Sequence, residues 1–485
     1  MMTLEQAAAA LSTRGLPCRI EGKTATQFAD VSIDTRTLQC GALYVALRGA
    51  RFDGHEFALE ARQRGAVALL VERLLAVDLP QIVVANTRLA LGLLAACWRS
   101  QFTPALISVT GSNGKTTTTQ MIAAILARAY GERDGRCGWF ATQGNRNNEI
   151  GVPLMLLQLR PEHRAAVLEL GMNHRGEIAV LSQWARPTVA LVINAQREHQ
   201  EFLDSVEATA RENGQAIEAL ADDGTAVFPA DDACCGIWRE LAGSRRVLDF
   251  ALQGAAAVGA DFRVGAQGAQ LSMRTPIGTI ATDLSVGGEH NVRNALAAAA
   301  ACIAIGVGTP AIAEGLAAFR PVTGRGTRLI GRGGATLIDE SYNANPDSVR
   351  AAIDLLAQQG GYRILILGDM GEVGAQSAQF HREVGAYAST RGIDRLLALG
   401  SSSQGAVDAF GAGASHFGTI EELIEVALDL TRGLPGQQGQ VPNAPSITVL
   451  VKGSRFMRLE RVIRALAREQ PASVGPLQGA PQTHA

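Results

Sequence analysis

The chain has 485 residues, 47% hydrophobic and 19% charged. That length gives a prior of about three domains, and the composition excludes collagen, disordered and small disulfide-scaffold classes. Lys plus Arg number 44 against 46 Asp plus Glu, a net charge of −2, so the chain is not built to coat nucleic acid or an anionic membrane.

The opening residues 1–16 carry an early Glu5 and no basic start before an apolar core, so no secretory signal is expected. Strand and helix patterns then alternate: 42–47, 54–64, 66–71, 81–85 and 87–99. That alternation predicts a small α/β domain over 1–102. A second block, 103–322, opens on the apolar run 105–109 and has further strand-like runs at 166–170 and 189–193. Its most apolar run, 295–307, is shorter than the ~18 residues a membrane span needs and reads as a buried helix. Residues 321–334 hold five glycines in fourteen positions and read as a hinge or linker. The third block, 323–470, has strand candidates at 335–338, 363–367, 395–399 and 447–451. Helical stretches near 348–358, 420–431 and 458–468 lie between or after them. The expected fold is three-domain α/β: a small N-terminal α/β domain, a central parallel-sheet domain of the P-loop ATPase type, and a Rossmann-like third domain. Residues 433–445 read as a turn-rich loop and 471–485 as a disordered tail. Seven cysteines, an odd number with no CxxC pair, argue for reduced thiols and against a disulfide framework or zinc cluster.

In open parallel sheets, ligands sit at the carboxyl ends of the strands. The first run of the second block leads into Gly111-Ser-Asn-Gly114-Lys115-Thr116-Thr117 and then a helical pattern. Glycines let backbone N–H groups wrap phosphate oxygens at a helix N-terminus. Lys115 brings a cation to the β/γ-phosphates, and Thr116 offers a hydroxyl to Mg²⁺. Val109 stands where the common loop has its first Gly. An ordinary Gly-rich strand-to-helix turn would use similar residues, but here strand, loop and helix follow in the order phosphate binding requires.

This loop, with Thr110 before the first Gly, resembles that of the Mur ligases and their folylpolyglutamate synthase relatives. Four further runs extend the resemblance over nearly the whole chain: Asp34-Thr-Arg with Phe52-Asp-Gly-His-Glu-Phe57; Gln143-Gly-Asn-Arg-Asn-Asn-Glu-Ile-Gly151; Asp339-Glu-Ser-Tyr-Asn-Ala-Asn-Pro-Asp-Ser348; and Val451-Lys-Gly-Ser-Arg455. The resemblance implies an ATP-dependent amide ligase that works through an acyl phosphate. The implied member joins D-alanyl-D-alanine to UDP-N-acetylmuramoyl-tripeptide in peptidoglycan precursor synthesis. It would act as a cytoplasmic monomer without nucleic acid or membrane insertion. Alternatives are another amide ligase of the superfamily, either the third-residue-adding member or folylpolyglutamate synthase, and a weakened nucleotide-binding homologue.

Residue by residue, the resemblance makes Lys115, Glu169, His199 and Arg325 catalytic. Thr116, Glu169 and His199 would be the metal ligands, and a hard carboxylate oxygen suits Mg²⁺. The nucleotide would be held by Gly111, Ser112, Asn113, Gly114, Lys115, Thr116 and Thr117. Asn291, Asn294, Arg325, Asp339, Tyr342, Asn343, Asn345 and Pro346 would complete that site. Asn291 on its own also suits a helix N-terminal cap. Thr35, Arg36, Asp53, Gly54 and His55 match the part of the family that binds the UDP end, and Asn147 and Asn148 the muramyl-peptide side. Lys452 and Arg455 suit either a carboxylate or solvent, and His174 reads as a surface residue. Many family members carry a carbamylated lysine where the helix after His199 here has Asn213, whose amide cannot be carbamylated.

Overall fold

A computed structural model describes residues 1–132, 135–198, 200–265, 267–432 and 446–468. The first sheet contains β1 (Cys18–Glu21), β2 (Asp30–Ser32), β3 (Ala42–Val45), β4 (Ala68–Val71) and β5 (Gln81–Val84), in the order β1-β5-β4-β3-β2. All neighbours are parallel except β1 with β5. Helices α1 (Leu4–Thr13), α2 (Ala58–Gln63) and α3 (Thr87–Arg99) pack around it. Asn86 caps α3 by accepting from the Leu89 N–H at 2.9 Å, which satisfies one of the orphan donors of a helix start.

The second sheet is entirely parallel. It comprises β6 (Ala105–Thr110), β7 (Trp139–Ala141), β8 (Ala165–Glu169), β9 (Val189–Val192), β10 (Thr225–Val227) and β11 (Arg246–Val247), in the order β11-β10-β9-β6-β8-β7. Between its strands run α4 (Lys115–Ala129), α5 (Gly151–Leu156), α6 (Glu177–Ala185), α7 (Val206–Glu218) and α8 (Cys235–Ala242). An appended small sheet follows, made of β12 (Phe250–Ala251), β13 (Val258–Gly265), β14 (Gly268–Thr275) and β15 (Gly278–Leu284). Sequence periodicity gave no sign of it. Its strands alternate buried and exposed side chains, as expected of a sheet with one wet face. The Ala-rich run forms the buried α9 (Glu289–Ala304), and α10 (Thr309–Ala318) packs beside α4. Small side chains let α9 approach its neighbours closely and bury most of its length.

The third sheet comprises β16 (Thr327–Ile330), β17 (Thr336–Glu340), β18 (Tyr362–Gly368), β19 (Arg395–Leu399), β20 (Ala414–Phe417) and β21 (Ile447–Lys452), in the order β16-β17-β21-β18-β19-β20. Helices α11 (Pro346–Ala357), α12 (Ser377–Thr390), α13 (Gln404–Phe410), α14 (Ile420–Arg432) and α15 (Glu460–Leu466) accompany it. Only β16 is antiparallel. The expected hinge is therefore shorter than its glycines suggest, because residues 327–330 pair with β17 as an edge strand. Residues 433–445 and 471–485, read from sequence as loop and tail, lie outside the described residues.

The three units are joined in two different ways. One apolar cluster runs without a break from Met2 in the first unit to Ala242 in the second. Gly92 on α3 lies directly against the Trp184 ring of α6, so close that a Cβ there would fall 2.3 Å from it. The Arg99 guanidinium donates to Ala185 O at 2.9 Å, and Trp98 Nε1 to Leu159 O at 3.0 Å. The third unit has its own apolar clusters, drawn from residues 335–467. Its main side-chain links to the second unit are polar, and junctions of that kind permit domain motion.

Candidate active site

A cavity of about 590 Å³ lies between the second and third sheets, at the carboxyl ends of β6, β8, β9, β17 and β21. Its floor is the phosphate loop. Gly111 (φ +131°) and Gly114 (φ +87°) take backbone conformations that favour glycine. A Cβ on Gly114 would stand 2.4 Å from Asn294 Oδ1, so glycine is required there on both counts. Lys115 Nζ donates to Gly111 O at 2.5 Å and Ser112 O at 3.2 Å, and pairs with Glu198 at 3.0 Å. The ammonium is thereby folded back over the loop it would serve.

Glu169, the last residue of β8, is 1% exposed. It accepts from Thr116 Oγ1 at 2.8 Å and Asn147 Nδ2 at 2.7 Å. Both partners are neutral. A buried carboxylate whose hydrogen bonds come only from neutral groups calls for a cation. One carboxylate and one hydroxyl beside a phosphate loop form the sparse oxygen set that suits Mg²⁺. No group of three or more His, Cys, Asp or Glu forms a metal cluster among the described residues. His199, expected as a further ligand, lies outside those residues.

Asn113 is held from three sides. Its N–H donates to Asn194 Oδ1 at 3.0 Å and its Nδ2 to Gln196 Oε1 at 2.6 Å. It also exchanges a reciprocal amide pair with Asn345, at 2.9 and 3.2 Å, across the two units. Asn345 in turn caps α11, accepting from the Ser348 N–H at 2.9 Å. Arg325 stacks on Tyr342 with its guanidinium carbon 4.0 Å from the ring centroid, and Arg455 lies over the same ring at 5.5 Å. Lys452 is buried rather than solvated. It donates to Asn343 O at 3.0 Å and lies 3.4 Å from Glu340. Burial lowers its pKa, opposed by the Glu340 charge.

Several expected site residues do not reach the cavity. Asp339 is buried behind it, its carboxylate taken up by the Gly324 N–H at 3.0 Å and the Ser341 hydroxyl at 2.6 Å. Pro346 is the first residue of α11, where its fixed φ suits a helix start. Gly111 supports the loop from below and is not among the lining residues. Asn291 does not cap α9, whose N-cap is Gly288; its side chain donates to Gly287 O at 2.8 Å and lines the cavity beside Asn294. Asn213 is 1% exposed, and its Oδ1 accepts from the Gly111 N–H at 2.8 Å. It braces the loop from beneath. Ser112, Thr117, Asn147, Asn148, Arg325, Tyr342 and Asn343 line the cavity.

Thr35, Arg36, Asp53, Gly54 and His55 lie in the first unit, in the segments that follow β2 and β3. Thr35 and His55 are buried. His55 Nε2 accepts from the Glu72 N–H at 2.8 Å, and its Nδ1 faces Asp53. Hydrogen bonds from the His55 N–H and side chain, with Arg73, hold the Asp53 carboxyl well below the usual range. A Cβ on Gly54 would meet Leu47 O at 2.6 Å. These residues shape the loop, while Arg36, Arg48 and Phe52 face solvent, Phe52 at 61% exposure. A second cavity of about 520 Å³ shares Glu149, Gly171 and Glu177 with the first. Arg88 of α3 pairs with Glu149 at its margin, at 2.9 Å.

Sequence reading missed Gln196, Arg197 and Glu198. All three lie within six residues of the end of β9, so the strand-end rule was the signal that marked them.

Family models match three stretches: Mur ligase family, catalytic domain, over 27–99; Mur ligase middle domain, over 109–302; and Mur ligase, glutamate ligase domain, over 324–455. The chain is 42% identical over 439 residues to the UDP-N-acetylmuramoyl-tripeptide–D-alanyl-D-alanine ligase of Escherichia coli (strain K12), spanning 90% of this chain and 93% of that one. It is 34% identical to the Haemophilus influenzae protein of the same name, over 93% of this chain and 96% of that one. The crystal structure of MurF from Acinetobacter baumannii superposes with a TM-score of 0.86 at 33% identity, covering 96% of this chain and 98% of that one. The chain belongs to the Mur ligase family.

Proposed function

We propose that this protein joins D-alanyl-D-alanine to UDP-N-acetylmuramoyl-tripeptide at the expense of ATP, completing a peptidoglycan precursor in the cytoplasm. The observation that carries the chemistry is the single cavity uniting the Lys115 loop, the Glu169 carboxylate and the Arg325–Tyr342 stack. The choice of substrates rests on similarity to relatives that bear this name over nearly their whole length.

In this reading a carboxylate oxygen of the tripeptide attacks the γ-phosphorus of ATP. The bond to the β–γ bridging oxygen breaks, and ADP departs. The dipeptide amine then attacks the carbonyl carbon, loses a proton and expels phosphate, leaving an amide. Lys115 exchanges its contacts on Gly111 O and Ser112 O for phosphate oxygens, neutralising charge on the transferring group. Thr116 and Glu169 would hold Mg²⁺, which would supply positive charge to offset that of the phosphates. Asn113 and Asn345 close the two units over the nucleotide, with Tyr342 and Arg325 on its base and phosphate sides. Arg36, Arg48 and Phe52 offer guanidinium groups and a ring to a pyrophosphate and a uracil at the first unit's strand ends. From there the muramyl peptide follows the second cavity towards Asn147 and Asn148.

The test is phosphate release with ATP and UDP-muramyl tripeptide, with and without D-alanyl-D-alanine. Sustained release only when both are present is the expected result. Turnover with a single amino acid in place of the dipeptide would move the chain to another branch of the family.

A further inference from the structure

We infer that Arg197 is a positioning residue that latches the third unit onto the phosphate loop. The inference rests on reading the central cavity as the nucleotide site. Arg197 follows β9 in the second unit, and all its side-chain partners belong to the third. Its backbone N–H donates to Asp347 at 2.9 Å. Its guanidinium reaches Asp347 at 2.6 and 3.1 Å and Glu383 at 2.7 and 3.0 Å. Arg350 braces Glu383 from the other side at 3.0 Å. The guanidinium also lies 5.1 Å from the Phe380 ring centroid. The Arg197, Asp347 and Glu383 side chains are only 22–27% exposed, so the planar fork is well placed for bidentate pairing with limited solvent screening.

Position gives this network its consequence. Asp347 stands two residues after Asn345, the N-cap of α11 that grips Asn113. Tyr342 and Asn343 come just before. Fixing Asp347 therefore fixes the segment that faces the nucleotide. The described apolar clusters do not run from the second unit into the third. Closure thus draws on polar contacts, and among the described side chains Arg197 bonds two carboxylates of the third unit, Asp347 and Glu383. The first and second units meet through a continuous apolar core, so Arg197 should leave their binding of the UDP-substrate untouched.

The test compares Arg197→Ala and Glu383→Gln with the wild-type protein. For Arg197→Ala we expect KM for ATP to rise about tenfold, from loss of a partly desolvated charge pair. KM for UDP-muramyl tripeptide and the thermal midpoint should stay unchanged. Glu383→Gln should shift KM for ATP in the same direction but less. Small-angle scattering should show that Arg197→Ala needs more ATP analogue than wild type to reach the compact form. Unchanged KM for ATP and unchanged compaction in both variants would overturn the assignment. So would equal rises in both KM values with a lowered thermal midpoint, which mark a merely structural residue. If the wild-type protein failed to ligate, the proposed function would fall, while scattering would still decide the latch.

Discussion

Replacing Asn213 by Ala tests how the phosphate loop is held. The Asn213 side chain accepts from the Gly111 N–H at 2.8 Å and donates to Thr209 O at 3.1 Å. The Asn213 carbonyl accepts from the Thr110 hydroxyl at 3.1 Å. The residue is 1% exposed, so no bulk water replaces the lost acceptor. Stranding a buried N–H costs about 1–3 kcal/mol. In a unit of about 200 residues that corresponds to a drop of roughly 2–12 °C in the unfolding midpoint. Any part felt only in the transition state lowers kcat by tenfold per about 1.4 kcal/mol. Calorimetry and phosphate release read the two effects separately. An amide has no amine to react with CO₂, so wild-type activity should be equal in degassed and bicarbonate-supplemented buffer. Asn213→Lys directs a buried ammonium at the Gly111 N–H, donor against donor, and should be worse than Ala unless bicarbonate restores it. A midpoint and kcat in Asn213→Ala indistinguishable from wild type would refute the brace. Bicarbonate-dependent wild-type activity would show that an anion occupies the site.

Lys115→Ala should cost about 10²–10³ in turnover while the protein stays folded, since it removes a charge clamp on the transferring group; near-normal turnover would remove Lys115 from the chemistry. Gly92→Ala puts a methyl 2.3 Å from the Trp184 ring, so calorimetry should show a loss of about 1–3 kcal/mol from overpacking the junction of the first two units. Burial depresses the pKa values of His163 and His290. The unfolded chain therefore takes up more protons just below the ordinary histidine value of about 6.5, and stability present above that value declines as pH falls through this window. His290→Gln should flatten part of that decline between pH 7.5 and 5.5, and an unchanged slope would assign it to other groups.

Much of the fold was legible because parallel strands buried on both faces read as unbroken apolar runs. Residues 105–109, 189–193 and 395–399 are strands within a residue at each end. The antiparallel β13–β15 escaped because its alternating pattern is diluted by polar residues on the exposed face. Helix α12 escaped for a related reason: only Phe380, His381, Val384, Gly385 and Ala388 are buried in fourteen residues. At the site, the geometry of the loop was legible: Gly114 takes a positive φ with no room for a Cβ, and Lys115 and Thr116 line the cavity where the sequence reading expected a phosphate. Roles that depend on what lies behind a side chain were not. Asp339 and His55 carry motif-like chemistry but spend it on neighbouring backbone N–H groups. Lys452 looked like half of a solvated basic pair and proves to be buried against Glu340.

The charge around the cavity bears on which ligand it would accept. Among the described lining residues, eight are Asp or Glu and five are Lys or Arg. Many of the acids already have a cation: Glu198 has Lys115, Glu340 has Lys452, Glu149 has Arg88 and Asp347 has Arg197. Glu169 is different, because both of its side-chain partners are neutral. A triphosphate entering alone would meet this carboxylate as a like charge in a partly desolvated site, where such repulsion is weakly screened. Entering with a divalent cation, it would bring the charge that Glu169 lacks. It would also give Lys115 phosphate oxygens in place of the loop carbonyls. On the proposed reading, the residues that would repel a bare triphosphate would therefore favour one that arrives with a divalent cation, at the junction of the second and third units.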